Sequence, residues 1–321
     1  MEYKLIAELS NEKIFYIICQ NDEKSVYQIF KKKISENLGI KKGKIFNFDM
    51  ASKIISQDIK NLEKETNLIF RTVYIILDET DLTCTNFSGF KKLNGSRVDK
   101  KDLDYILNEA KISIKSDQKT NTILHILNSN FTLDKITRTT VPLNIHGDRL
   151  SLHMTFLSIP ENSCKNIESL FSSVDLKVER IISKQLVSGI NFFKNNENSE
   201  LNNFILINLD KEISSVTVYE NSSIIFLKSF PFGTNLILRD INKLCSIKES
   251  EIRKILKRVK FDENINQKKL YLDADFFKES EFKKISINHL KEIIKSRVDE
   301  MTNYIYYKNR SVMNNKFINL Y

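Results

Sequence analysis

Glycine and proline are the scarce residues of this chain: seven and three among 321, against averages of roughly 7% and 5%. A loop that wraps its main chain around a phosphate needs glycine. A residue without Cβ admits φ > 0 and lets backbone N–H groups come close. So few glycines leave little material for such loops. Long apolar runs are missing as well. None approaches the roughly 20 residues of a membrane-spanning helix, and the opening MEYKLIAEL holds no signal-peptide apolar segment. The four cysteines, Cys19, Cys84, Cys164 and Cys245, have no metal-ligand spacing and read as reduced thiols of a cytoplasmic protein. His125, His146 and His153 fall on different segments with no i, i+4 pair. They read as structural histidines, and no metal centre is expected.

What is present is core and positive charge. Hydrophobic residues make up 41% of the chain and include 21 Phe, enough for two domains of ordinary size. Lys, Asn and Ile are abundant, a sign of compositional drift that can itself remove glycines. The net charge is +9 and uneven: Lys248–Tyr321 carries 17 Lys/Arg against 11 Asp/Glu. A basic region of this kind suits an acidic partner. Nucleic acid is not the expected one, because neither an aromatic–basic RNA-binding motif nor a helix-turn-helix signature occurs.

Apolar periodicity places the elements. Leu5–Leu9 and Ile14–Cys19 read as two strands around Ser10-Asn11-Glu12-Lys13. Asp49–Glu65 reads as a helix with Ala51, Ile54, Ile55, Ile59 and Leu62 inward, and Val73–Leu77 as a buried strand. Leu82–Leu93 is strand-like. Asp99 caps a helix to Ala110, and Ile123–Leu127, Phe131–Leu133 and Leu150–Leu157 are strands. Asn162–Val174 and Ile182–Phe193 read as helices, and polar Asn191–Asn202 as a linker. Phe204–Leu209 is a buried strand, and Val216–Tyr219 and Ile224–Leu227 form a hairpin about Glu220-Asn221-Ser222-Ser223. Asn235–Leu244 is a helix, and Ser246 with Glu249 makes a capping-box pattern before the Ile252, Ile255, Leu256, Val259 face. That helix shows Arg253, Lys254, Lys257 and Arg258 on its other side. Ser286 caps a last long helix carrying Arg297, and Phe317–Tyr321 reads as a strand.

Two of these turns resemble the phosphate segments of the FtsA family of bacterial cell-division proteins, members of the actin/Hsp70 superfamily. The first family pattern is Asp-Ile-Gly-Thr-Ser-Lys, and here it reads Glu8-Leu9-Ser10-Asn11-Glu12-Lys13. The second is a strand acid, a triple-glycine turn, two threonines and an aspartate, then a hairpin and Pro-x-Gly. Here Asn208 replaces the strand acid, Asp210-Lys211-Glu212 stand in place of glycines, and Ser215 replaces the later aspartate. The hairpin and Pro231-Phe232-Gly233 are kept. Side chains in the glycine positions block close backbone approach, and Glu12, Asp210 and Glu212 repel phosphate. Asn208 is a poor partner for hydrated Mg²⁺. The segments Ile123–Leu127 and Gly147–His153 resemble the SHS2-type subdomain that the family inserts in its first actin-like half.

The resemblance implies an α/β, actin-like two-domain fold with that inserted subdomain and an incomplete second domain. Its division would be 1–81 with 160–200 for the first half, 82–159 for the insert, 201–235 with 311–321 for the second-half core, and 236–310 for a basic subdomain. It implies ATP and Mg²⁺ as cofactors of the family. Glu8, Ser10, Asn11, Lys13, Asn208, Asp210, Lys211 and Gly233 are then vestigial pocket positions, and no residue is assigned to catalysis. It further implies docking of the FtsZ C-terminal tail, with Arg253, Lys254, Arg258 and Arg297 as candidate contacts, together with self-association and other division partners. The place of action would be the cytoplasmic face of the membrane at the division site. The family's glycine-rich adenosine turn and amphipathic membrane helix do not follow Tyr321, so the expectation is a truncated protein or a piece of a longer one. A working ATP-binding actin homologue and an actin-like scaffold of another machine, such as type IV pilus assembly, remain open alternatives.

Overall fold

The computed structural model describes residues 2–21, 27–195, 203–221, 223–259, 271–309 and 319–320. The chain begins with β1 (Tyr3–Leu9), β2 (Lys13–Asn21) and β3 (Tyr27–Glu36), then a small ladder of β4 (Ile40–Lys41) and β5 (Lys44–Ile45). Helix α1 (Phe48–Thr66) and β6 (Thr72–Leu77) follow. Alternation builds the first sheet: Leu5, Ala7 and Leu9 of β1 and Ile14, Tyr16 and Ile18 of β2 are almost wholly buried on one face. Asn47 starts α1 by accepting the Met50 N–H, and Asn67 ends it at φ 54°, a left-handed residue of the kind that closes helices. Its apolar stripe of Ala51, Ile55, Ile59 and Leu62 joins the core under that sheet.

The insert consists of β7 (Thr83–Lys92), α2 (Lys100–Asp117), β8 (Asn121–Leu133), β9 (Ile136–Arg138) and β10 (Arg149–Pro160). Its sheet runs in the order β7-β10-β8-β9. Asp99 and Asp102 form a reciprocal capping box at the start of α2. Ile106, Ala110 and Ile114 then pack on a separate core with Phe131, Leu150 and Phe156. A side chain at Gly89 would come 2.7 Å from Ile106 Cγ2, so glycine on β7 is what lets the helix lie close.

Helix α3 (Glu161–Ser172), β11 (Lys177–Ser183) and α4 (Lys184–Asn195) return to the first sheet, whose order is β11-β6-β1-β2-β3. β1, β6 and β11 are parallel, while β2 and β3 fold back antiparallel. A second sheet holds β12 (Asn203–Leu209), β13 (Ser214–Glu220) and β14 (Ser223–Phe230). Beyond α5 (Asn235–Cys245), α6 (Glu249–Arg258) and α7 (Ile287–Lys308) comes β15 (Asn319–Leu320), which pairs parallel with β12. The resulting order β14-β13-β12-β15 repeats the wiring of the first sheet, a three-strand meander followed by a parallel strand on its inner side.

The chain divides into two compact units. One comprises Met1–Ile207, Ser215–Ser229 and Asn319–Tyr321; the other comprises Asn208–Ser214 and Phe230–Ile318. Within the first, α4 lies on the second sheet through an aromatic cluster. Phe192, Phe193 and Tyr219 surround Phe204, and Tyr219 Oη donates to the Gln185 carbonyl at 2.6 Å. Any side chain at Gly189 would fall 2.1 Å from the Tyr219 ring. The same unit joins the insert to the β13–β14 hairpin: Asn130 Nδ2 donates to Glu220 (2.9 Å) and Asn86 Nδ2 to the Ile225 carbonyl (2.9 Å). The second unit has its own core, in which Leu238, Ile241, Ile252, Ile255, Leu290 and Ile293 meet.

Several local expectations change. Ile182 does not begin a helix. Lys177–Ser183 is a strand paired with β6, Ser183 facing Leu77, and α4 starts at Lys184. Ser246 is no N-cap: at φ 57° it closes α5 by donating its N–H to Asn242, and Lys248 precedes α6 without a side-chain cap. Ile123–Leu127 and Phe131–Leu133 are one strand, interrupted by register shifts rather than by a turn. α2 continues beyond Ala110 to Asp117. β3 had no strand signal, because its outer face exposes Ile29, Phe30 and Ile34 between lysines. Of the Asn191–Asn202 linker, residues 196–202 lie outside the described residues, as do Ser222, 310–318 and Tyr321.

Candidate functional site

The candidate residues divide between the two units. In the first, the β1–β2 turn is closed on itself. Ser10 donates its N–H and its hydroxyl to the Lys13 carbonyl (3.1 and 2.7 Å), and Lys13 N–H returns to Ser10 Oγ at 3.3 Å. Buried Asn37 then organises the neighbouring backbone. Its Oδ1 accepts from Gly39 (3.2 Å) and Ile40 (3.0 Å), its Nδ2 donates to the Ile40 and Ser10 carbonyls, and its N–H reaches the Glu12 carbonyl. The Asn11 side chain accepts the Lys42 N–H. Glu8, one residue before the end of β1, pairs with Lys184 at 3.7 Å, and Lys184 lies 4.0 Å from Asp78.

In the second unit the turn after β12 is held by its carbonyls. Asp210 accepts from Thr234 and Lys211 from Asn235, both at 2.9 Å. Gly233 packs so closely on this turn that an added Cβ would lie 2.1 Å from the Asp210 oxygen and 2.5 Å from the Lys211 carbonyl. Asn235 Nδ2 donates to Glu212 at 2.6 Å, and Asn235 Oδ1 accepts from Arg253. The first N–H groups of α5, the usual anion-binding end of a helix, are thereby tied to the turn itself. Asp210, Lys211 and Gly233 are brought together, while Asn208 stands on the strand preceding them.

The basic candidates differ in what they are free to do. Arg253 bonds Glu249 at 2.6 Å as well as Asn235. Arg297 grips Asp240 with two nitrogens and reaches Glu300 at 2.7 Å. Of the basic residues of α6, Lys254, Lys257 and Arg258 stand exposed, as do Glu249 and Ser250 in its first turn. The helix itself is anchored by Glu251, fully buried, whose Oε1 accepts from the N–H groups of Lys278 (2.6 Å), Glu279 (2.8 Å) and Ser280 (3.4 Å). Burial would raise its pKa, but these donors and the Ser280 hydroxyl hold it down at about 2. His125 is buried on β8 and accepts the Ser183 N–H at 3.1 Å. Burial, aided by Arg180, pushes its pKa down to about 4. Its ring thus has a partner within the fold, and among the described residues no group of three or more His, Cys, Asp and Glu side chains is placed to hold a metal ion.

Sequence reading missed three contributors: Asn37, Lys184, and a basic cleft. That cleft, of about 1190 Å³, is lined by Lys111, Lys115, Lys119 and Arg180 together with Glu161. Lys184 was hidden by assigning the β11–α4 junction to a helix. The lysines of α2 were legible only once the helix was known to continue to Asp117.

The model of the SHS2 domain inserted in FtsA matches residues 80–158. Cell division protein FtsA of Buchnera aphidicola subsp. Schizaphis graminum is 24% identical over 85% of this chain and 64% of its own length. FtsA of Escherichia coli K12 is 20% identical over 63% of this chain and 47% of its own. The chain thus spans about half to two-thirds of these relatives. Among solved structures, the PilM-PilN type IV pilus biogenesis complex is similar at a TM-score of 0.64, covering 99% of this chain and 80% of that one at 8% identity; that likeness concerns fold alone. Repeated sheet wiring, the inserted αβ module and this likeness define an actin-like protein with an SHS2-type insert. Within that class the chain is similar, at low identity, to proteins of the FtsA family.

Actin-like ATPase folds imply ATP and Mg²⁺, and the residues present do not fit that group. A phosphate cradle needs backbone N–H groups pointing outward from glycine turns. Here the Ser10 hydroxyl closes the first turn on the Lys13 carbonyl, the Asn11 side chain is taken by the Lys42 N–H, and the second turn offers carbonyls to its own helix.

Proposed function

We propose that this chain is a cell-division protein that acts as a docking scaffold of the division ring rather than as a nucleotide-driven one. Its basic helical subdomain, residues 236–310, takes the acidic C-terminal tail of FtsZ, and the chain self-associates and meets other division proteins at the inner face of the cell membrane. The observation that carries the reading is the inserted subdomain: the model of the SHS2 domain inserted in FtsA matches residues 80–158, and the Buchnera and Escherichia coli relatives are both named cell division protein FtsA. The degraded turns at Glu8, Ser10, Asn11 and Lys13, and at Asn208, Asp210, Lys211 and Gly233, belong to the same reading as relics of a nucleotide site.

The docking face is the exposed side of α6. Lys254 and Arg258 are exposed there, whereas Arg253 and Arg297 hold acidic partners of their own subdomain. An acidic peptide would meet Lys254 and Arg258 first and would bind with a strong salt dependence. Fluorescence anisotropy with a labelled FtsZ tail peptide tests this. Binding at low salt, weakened about tenfold in Lys254→Glu/Arg258→Glu, is expected. Equal affinity for the reversed-charge variant, or no binding at low salt, would contradict the docking role.

A further inference from the structure

Three parallel strands of the first sheet end side by side: Leu9 of β1 stands opposite Leu77 of β6, and Leu77 opposite Ser183 of β11. Open α/β sheets hold ligands beyond such carboxyl ends. Two acids flank this one. Glu8 projects just before the end of β1, and Asp78 follows β6 directly. Carboxylates on adjacent strand ends are what a divalent cation with oxygen ligands would grip.

An ammonium already stands there. Lys184, the first residue of α4, places Nζ 3.7 Å from Glu8 Oε1 and 4.0 Å from Asp78 Oδ2. The other Asp78 oxygen accepts from Gln185 Nε2 at 2.8 Å, and Gln185 is 2% exposed. The first turn of α4 is fixed in its turn by Tyr219, whose hydroxyl bonds the Gln185 carbonyl and whose ring fills the space beside Gly189. The lysine is therefore held by the fold and not merely near the acids.

We propose that Lys184 is a built-in counter-ion that takes the cation position between Glu8 and Asp78, so the negative charge of this sheet end is halved and its acids are ordered without a divalent ion. A hydrated Mg²⁺ would have to displace a tethered like charge and lose the carboxylates' existing partner. The strand acids remain, but their cation is covalent. This stands on the first compact unit alone, so it holds or fails independently of FtsZ docking.

Thermal unfolding of the full chain tests it, in EDTA and in millimolar MgCl₂ or MnCl₂ at matched ionic strength. The wild-type midpoint is expected not to respond to either metal. Lys184→Met, similar in length and neutral, should unfold earlier in EDTA and regain about 3 °C with Mn²⁺ or Mg²⁺. Lys184→Arg should behave as wild type, and Lys184→Met combined with Glu8→Gln should lose the metal response. A metal-induced rise in wild type equal to that in Lys184→Met, or no response in Lys184→Met, would overturn the proposal. Direct Mn²⁺ titration of the wild-type chain decides the matter even if a variant fails to fold. Saturable submillimolar binding that Glu8→Gln abolishes would overturn it; its absence supports it.

Discussion

Gly233 and Asp210 touch through bare backbone: a Cβ on Gly233 would sit 2.1 Å from the Asp210 carbonyl oxygen. The glycine is needed here to seat a helix on a turn, with Thr234 and Asn235 donating to the Asp210 and Lys211 carbonyls. Overpacking at such a contact costs about 1–3 kcal/mol. Gly233→Ala is therefore expected to lower the urea midpoint clearly, whether or not any nucleotide is added. An unchanged midpoint would show that the turn and α5 are not locked together.

Glu251 is the anchor of α6. Three N–H groups converge on its buried carboxylate, and hydrogen bonds to a charged group are worth about 1.5–3 kcal/mol. Glu251→Ala is expected to lose roughly that much stability near neutral pH. Its folded-state pKa of about 2 lies below the ordinary glutamate value. The stabilisation is thus complete above the unfolded pKa and disappears as pH falls towards 2. Denaturation curves of wild type and variant should converge in acid.

His125 titrates in a different window. Its folded pKa of about 4 lies below the ordinary value of 6.5, so the unfolded chain binds the extra proton between those values. Stability contributed by the neutral ring is full above 6.5 and lost as pH falls towards 4. Between about pH 7 and pH 5, wild type is expected to lose more thermal stability than His125→Gln, which carries no titrating group. An equal loss would remove His125 as the source.

The two basic helices of the second unit separate structural from exposed charge. Arg297 holds Asp240 with two nitrogens, both side chains being about three-quarters covered. Arg297→Ala should cost about 1–3 kcal/mol by leaving Asp240 without its guanidinium. Lys254→Ala and Arg258→Ala, on the open face of α6, should stay within about 0.5 kcal/mol of wild type. Urea unfolding of the three variants checks the contrast.

Much of this fold was legible because its apolar periods are local. Leu5, Ala7 and Leu9 announce a half-buried strand, and Ala51, Ile55, Ile59 and Leu62 a helix face, before any tertiary contact is known. Junctions were less legible. Ile181-Ile182-Ser183 runs into Lys184 without glycine or proline, so only pairing with β6 reveals where strand becomes helix. Ser246 has a capping residue's chemistry but a left-handed φ set by the end of α5. The site followed the same division. The loss of glycine at Ser10 and Lys211 is visible in sequence; the ion pairs of Lys184, the bonds of Asn37 to Ser10 and Glu12, and the contacts of Arg253 with Asn235 and of Arg297 with Asp240 depend on residues far apart in the chain.

Calorimetric titration of the full chain with ATP in the presence of Mg²⁺ tests most directly whether the nucleotide turns are relics. No saturable binding is expected up to millimolar ATP, with Mg²⁺ or with EDTA. A saturable isotherm with micromolar affinity that EDTA abolishes would contradict the reading of Ser10, Asn11, Asp210 and Lys211 as groups that close the site.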